Sequence, residues 1–129
     1  MAVHAPARRT VVKVCGVTCL EDARVALDAG ADWLGFIVRG ESPRNIDASV
    51  AADIIGALPE TTAVAVMVAP GPDEALALAR RIGARRLQLH QVDPAAWPEG
   101  FPLPVAFAVP VTPEGRLVGR LPAPGDLVL

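Results

Sequence analysis

The chain alternates short apolar runs with helix-patterned segments, and this alternation restricts the folds open to it. Six apolar runs end near residues 15, 38, 68, 90, 109 and 129, so successive runs are roughly twenty to thirty residues apart, as in repeated βα units. Each run is apolar at consecutive positions, as in Ala63–Val68, which is typical of parallel strands covered on both faces. The sequence therefore predicts an α/β protein with a parallel sheet.

The segments between the runs carry helix signals. The first helix is predicted to begin at Thr18, because Glu21 three residues later gives capping-box spacing, and to end at Gly30. The second is predicted to follow a cap at Asp47 and the third to run from Pro72 to Gly83. Their predicted buried faces are Val50, Ala51, Ile54, Ile55 and Leu58 in the second helix and Leu76, Ala79 and Ile82 in the third.

The later part of the chain is rich in proline. Eight of the 13 prolines lie between Pro94 and Pro124, so any fourth or fifth helix is expected to be a turn or two long. The strands are predicted at Val11–Cys15, Trp33–Val38, Ala63–Val68, Arg86–His90, Val105–Val109 and Asp126–Leu129.

Composition excludes several classes of partner. The chain is 52% hydrophobic, has a mean hydropathy of +0.39 and a net charge of −2, which favours a packed core and gives no reason to expect nucleic acid or a membrane surface. Two cysteines four residues apart fit neither a disulfide framework nor a zinc site. No apolar run approaches the ~18 residues of a membrane span. We therefore expect a cytoplasmic protein in which residues 1–10 form a flexible N-terminal tail and residues 11–129 form the fold.

Three residues near predicted strand ends could do chemistry, because functional groups of parallel βα arrays gather there. Cys15 could act as a base or nucleophile, Arg44 could bind a carboxylate through its two-pronged guanidinium, and His90 could contact an anion or a sugar hydroxyl. Each has an ordinary alternative, namely a small buried hydrophobe, a solvated loop arginine and a histidine bonded to backbone. Cys19 is expected to be structural or partly exposed.

Several motifs together resemble those of one enzyme family. They are Lys-Val-Cys-Gly-Val-Thr at residues 13–18, Gly-Ala-Asp-Trp-Leu-Gly-Phe at 30–36, Ser-Pro-Arg at 42–44 and Gln-Leu-His at 88–90. Over residues 11 to about 92 the chain resembles phosphoribosylanthranilate isomerase of tryptophan biosynthesis. It departs from that family's pattern at Ala65, Met67 and Gln91.

The resemblance implies a TIM-type (β/α)₈ barrel that needs no cofactor or metal. The reaction is an Amadori rearrangement of N-(5-phosphoribosyl)anthranilate, in which Cys15 would be the general base, Arg44 would hold the anthranilate carboxylate and His90 would line the substrate site. The expected partner is this phosphorylated sugar–anthranilate molecule, with no nucleic acid or membrane.

Length limits this expectation. Such barrels take about 200–250 residues, so 129 residues correspond to an incomplete barrel of about five to six βα units of eight. The family's general acid, an aspartate just after the sixth strand, is expected to be absent, because Asp126 begins that strand and is no substitute. The phosphate-binding loops after strands seven and eight are expected to be absent too, and the 129 residues alone should have negligible isomerase activity.

Two other functions remain open from the sequence. The chain could be a non-catalytic half-barrel that serves as a binding or assembly module, because the open edges of strands one and six would invite self-association. It could also be a thiol enzyme of unrelated chemistry that uses Cys15.

Overall fold

Six parallel strands form one sheet in the computed structural model, which describes residues 9–122 and 127–128. The strands follow the order β1-β2-β3-β4-β5-β6, and every neighbouring pair is parallel. A sheet ordered as the chain runs is the arrangement of a (β/α) barrel, whereas a doubly wound sheet reverses direction at a switch point. The prediction of an incomplete TIM-type barrel is confirmed. The elements are β1 Lys13–Cys15, α1 Leu20–Asp28, β2 Trp33–Arg39, α2 Ala48–Gly56, β3 Thr62–Val68, α3 Pro72–Ile82, β4 Arg86–His90, a 3₁₀ turn at Pro94–Ala96, β5 Val105–Phe107 and β6 Leu127–Val128.

The first strand is shorter and more exposed than predicted. It begins at Lys13 rather than Val11, and Val12 and Val14 are 50% and 39% exposed. Since β1 is the first strand of the sheet order, neighbouring elements do not cover both of its faces. The expectation of two-sided burial is therefore wrong for β1, although β2 and β3 fulfil it.

The first helix begins one residue later than its capping-box pattern predicts. Cys19, not Thr18, is the N-cap, with extended backbone and a thiol that accepts a hydrogen bond from the Asp22 amide at 3.5 Å. The first helical bond runs from Ala23 N to Cys19 O at 3.2 Å. Sulfur is a weaker acceptor than the hydroxyl or carboxylate usual at this position. Local backbone geometry thus overrides the Thr-x-x-Glu pattern.

The second and third helices follow their predicted limits, but their buried faces are rotated slightly. Asp47 is the N-cap of α2 without a side-chain cap bond, and α3 ends at Gly83 in the left-handed conformation. Val50 is 41% exposed, and Ala75 rather than Leu76 shares the buried face of α3 with Ala79. In residues 94–122, the 3₁₀ turn is the only helical segment, as the density of proline predicts.

The sheet has two chemically different faces. Register partners point to the same face and alternate along each strand, so the outer face carries one set of apolar residues that packs against the helices. This core includes Leu34, Phe36, Ala65, Met67, Leu87, Leu89 and Phe107. The inner face carries Cys15, Gly35, Val64 and Val66, and then Gln88 and His90 on β4. Stability therefore rests mainly on one face, and reactive groups lie on the other.

Both ends of the chain fall partly outside the described residues. Residues 1–8, most of the predicted flexible tail, are outside them, while Arg9 forms an ion pair with Asp32. Asp126 is also outside, next to the short strand β6. Within the part of the chain that is described, no helix has the length and apolar character needed to cross a membrane.

Candidate active site

Cys15 lies at the carboxyl end of β1 and is half-buried. Its register partner on β2 is Gly35. A Cβ atom at Gly35 would come within 2.8 Å of the Cys15 Sγ and 3.2 Å of its Cα, both closer than such atoms normally approach. Because Gly35 has no side chain, it leaves the space that the Cys15 thiol occupies.

Arg44 lies directly beside this cysteine, although 29 residues separate them. Its Nη1 donates a hydrogen bond of 2.9 Å to the Cys15 carbonyl oxygen. The guanidinium covers Gly16, where a Cβ would be 2.5 Å from Nη1 and 2.7 Å from Cζ. Gly16 also has a φ of +81°, a conformation that favours glycine. Gly16 thus permits both the left-handed backbone that follows β1 and the close approach of the Arg44 guanidinium.

The loop that presents Arg44 is closed by short local bonds. Ser42 accepts the Arg44 amide on its Oγ at 3.2 Å and the Asn45 amide on its carbonyl at 2.9 Å. Ile46 then donates to the Ile37 carbonyl at 2.9 Å, which ties the loop back to β2. A loop closed in this way holds its charged side chain at lower entropic cost than an open one.

His90 ends β4 on the same inner face, where it is half-buried. Its Nε2 lies 2.9 Å from the Gln88 Nε2, and the Gln88 Oε1 accepts a hydrogen bond from the Lys13 ammonium. Burial lowers the pKa of His90 below 6.5, and the charge of Lys13 lowers it further. The neutral imidazole is therefore the dominant form at neutral pH.

The structure thus brings the three sequence-derived residues to one end of the sheet in different ways. Cys15 and Arg44 are in contact, whereas His90 is connected to β1 through Gln88 and Lys13. Lys13 and Gln88 belong to the motifs at residues 13–18 and 88–90, but the sequence predicted no role for either side chain. Their positions two residues before Cys15 and His90 were the available signal, because residues i and i+2 of a strand share a face.

Other residues shape the same end of the sheet. Arg39, at the end of β2, hydrogen-bonds the Val68 carbonyl and pairs with Glu74 in the first turn of α3. Gln91 follows β4 with a φ of +54°. This position, one of the three at which the sequence departs from the pattern it resembles, is held in the left-handed region that non-glycine residues rarely adopt.

Two cavities lie away from Cys15 and Arg44. One of about 800 Å³ is lined by Trp97, Phe101 and Phe107 among others, and one of about 410 Å³ by residues that follow β4 and β5. None of Cys15, Arg44 and His90 lines either cavity. Among the residues described, no group of three or more His, Cys, Asp or Glu side chains could hold a metal ion.

A parallel sheet ordered as the chain runs is the arrangement of the (β/α)-barrel class, and Cys15, Arg44 and His90 lie at or just beyond the carboxyl ends of its strands, where functional groups of such barrels gather. The sequence model of N-(5′-phosphoribosyl)anthranilate (PRA) isomerase matches residues 12–115. The chain therefore belongs to the PRA isomerase family.

Individual relatives agree. The isomerase of Rubrobacter xylanophilus is 46% identical over 80 residues, which are 61% of this chain and 39% of that protein. The isomerase of Oceanobacillus iheyensis is 33% identical over 105 residues, 81% of this chain and 51% of that protein. The chain thus spans about half or less of the length of these curated relatives.

Solved structures show the same relation. The isomerase of Thermus thermophilus superposes with a TM-score of 0.75 at 37% identity, over 83% of this chain and 55% of that one. A phosphoribosylanthranilate isomerase in complex with reduced 1-(o-carboxyphenylamino)-1-deoxyribulose 5-phosphate gives a TM-score of 0.71 at 32% identity, over 82% and 56% of the two chains.

Proposed function

We propose that this chain carries the general base and the carboxylate-binding group of a PRA isomerase active site. The observation that carries the proposal is the contact between Arg44 and Cys15, in which the guanidinium covers Gly16 and donates to the Cys15 carbonyl. A carboxylate bound by this arginine would lie next to the thiol. The substrate proposed is N-(5-phosphoribosyl)anthranilate, which has an aromatic carboxylate near the carbon that must lose a proton.

Cys15 is the proposed base. Once the ribose ring has opened to a Schiff base, the thiolate of Cys15 would take the C2′ proton. The resulting enolamine becomes the 1-deoxyribulose product. Arg44 would fix the anthranilate ring so that C2′ faces the sulfur. Guanidinium is suited to this task because its planar donors match the two oxygens of a carboxylate.

His90 is proposed to contact the sugar as a neutral hydrogen-bonding group, since its pKa is lowered by burial and by Lys13. Ring opening also needs a general acid, and Asp126 is not proposed for that role. We propose that the acid and the phosphate-binding groups come from the βα units that relatives have and this chain does not span.

The test is substrate conversion by the 129-residue chain alone and after mixing or fusing it with the remaining βα units of a relative. We expect negligible conversion by the chain alone, because general acid catalysis is worth about 10²–10⁴ in rate, and recovery in the complemented protein. Conversion at an ordinary rate by the chain alone would contradict the assignment of the acid to another segment.

Variants of the complemented protein test the residue roles. We expect Cys15→Ala to lower kcat by about 10²–10⁴ and Arg44→Ala mainly to raise KM, by roughly tenfold or more, since a hydrogen bond to a charged group contributes about 1.5–3 kcal/mol. Cys19→Ser is the matched control, because it alters the other thiol and keeps an N-cap acceptor. Loss of activity in Cys19→Ser alone would sink the role given to Cys15.

A second function, that of a self-associating assembly module, is favoured by the exposed edge of the sheet. Among the residues described, β1 has one strand neighbour, and Val14 within it and Val12 just before it are both exposed. We propose that this edge pairs with a second copy of this chain, because an uncovered edge strand is a template for pairing. Sedimentation should show a monodisperse dimer that Val14→Lys dissociates and Val25→Lys, on the exposed side of α1, does not. A monomer at all concentrations, or polydisperse aggregates, would rule the module out.

A further inference from the structure

We propose that Lys13 and Gln88 are positioning residues that hold His90 in the Nδ1–H tautomer, with its Nε2 as a hydrogen-bond acceptor. The three side chains form a continuous chain of hydrogen bonds across the inner face, from β1 to β4. No motif match identifies Lys13 or Gln88 as acting through the histidine. The tautomer itself is independent of the proposed function.

The direction of the chain is fixed at its lysine end. An ammonium group can only donate, so the Gln88 oxygen must face Lys13. The amide nitrogen of Gln88 then faces His90, with its Nε2 2.9 Å from the imidazole Nε2. Turning the amide over would set its NH₂ group against the ammonium, where two donors would meet without an acceptor.

The imidazole has one arrangement that fits. The amide nitrogen of Gln88 is a donor, so the His90 Nε2 must accept, and the single proton of the neutral ring lies on Nδ1. Gln88 is only 7% exposed, so water cannot readily replace either partner of its amide. The protonated ring is excluded by the same logic, because its Nε2–H would face the amide NH₂.

The charge of Lys13 also opposes protonation of the His90 ring. Lys13 is the cation that faces it from β1, and Arg39 at the end of β2 is paired with Glu74. Among the residues described, no carboxylate forms an ion pair with His90. The thiol of Cys15 is the other titratable group that β1 contributes to this face.

For a bound ligand, this tautomer fixes which nitrogen of the His90 ring can donate a hydrogen bond. Within residues 9–122, the His90 Nδ1 has no hydrogen-bond partner, so Nδ1–H is the ring hydrogen left for an oxygen of the substrate. This part of the inference rests on the proposed function. The geometry thus points to a histidine that donates from Nδ1 and cannot shuttle protons through Nε2.

The experiment is ¹⁵N–¹H correlation NMR of histidine-labelled chain carrying His4→Ala, which leaves His90 as its one histidine. Near pH 8 we expect a protonated Nδ1 and an unprotonated Nε2, the reverse of the preference of free histidine in water. In Gln88→Met the Nδ1–H to Nε2–H ratio should fall about tenfold, the order expected for loss of one hydrogen bond. Predominant Nε2–H in the chain with native Gln88 would overturn the proposal.

Two further variants separate positioning from general loss of structure. Lys13→Arg keeps a cationic donor and should retain the Nδ1–H tautomer, whereas Lys13→Met frees the amide of Gln88 and should lose the preference. Gln88→Glu supplies an acceptor to Nε2 and should switch the tautomer to Nε2–H. The same tautomer in all of these variants would overturn the proposal even if each folds. Because no substrate is present, failure here is distinguishable from failure of the proposed isomerase reaction.

Discussion

Gly35→Ala tests whether the space beside the Cys15 thiol is set by a missing side chain. The added methyl would lie 2.8 Å from the Cys15 Sγ, 3.3 Å from its Cβ and 3.2 Å from its Cα. The thiol can rotate away, but the clash with the backbone cannot relax without separating β1 from β2, which are paired at this position. Overpacking of this kind costs about 1–3 kcal/mol, and we expect a loss of unfolding free energy in that range.

The assay is urea unfolding together with the rate at which a disulfide reagent modifies Cys15 in a Cys19→Ser background. The displaced sulfur should react at a different rate. Adding Cys15→Ala to Gly35→Ala should remove only part of the destabilisation caused by Gly35→Ala, since the clash with the backbone of residue 15 remains. Gly56→Ala is the matched control, because a Cβ at Gly56 has no atom within 4 Å and alanine in a helix gains about 0.5–1 kcal/mol over glycine. Gly35→Ala with native stability and native thiol reactivity would refute the steric argument.

Three further outcomes follow from the same end of the sheet. Gly16→Ala should displace the Arg44 guanidinium and impose left-handed strain of about 1–2 kcal/mol. In the complemented enzyme it should therefore both lower the unfolding free energy and raise KM. A change in stability without a change in KM would contradict the role of the contact between Arg44 and Gly16. Gln91→Gly should relieve strain of about 1–2 kcal/mol at φ +54° and lose about 0.5–1 kcal/mol to backbone entropy. The unfolding free energy measured in urea should therefore stay the same or rise by up to about 1.5 kcal/mol, and a fall would show that the Gln91 side chain stabilises the loop. The pKa of His90 is lowered in the folded state, so as pH drops the unfolded chain binds the proton first and the unfolding free energy should fall below about pH 6.5. In Lys13→Met the unfolding free energy should fall less steeply with pH. An equal slope in the two chains would contradict the effect of the lysine charge.

Strand positions were largely predictable because burial of parallel strands leaves a continuous apolar signal. Arg86–His90 has the limits predicted from the sequence, and α3 begins at Pro72 as expected. The prediction failed where tertiary position decides burial. Val14 has the residue type of a buried strand but lies on the first strand of the sheet, where nothing described covers its outer side.

The site divides in the same way. Residue types and positions at or near strand ends were enough to name Cys15, Arg44 and His90 as candidates, whose roles stay predictions. The contacts that organise them were not predictable, because Lys13 and Gln88 are 75 residues apart and meet only when the sheet curves. The packing of the Arg44 guanidinium against Gly16 likewise depends on a loop conformation that no local sequence pattern specifies.

The two-faced sheet also bears on how freely this protein can change. Its apolar core lies between the outer face and the helices, so polar side chains such as Lys13, Gln88 and His90 on the inner face contribute little to that packing. Substitutions there that keep the hydrogen bonds of the buried Gln88 side chain should cost little stability, whereas truncation of Phe36 or Leu89 would leave a cavity in the core. The geometry thus separates the positions open to functional variation from those that hold the fold.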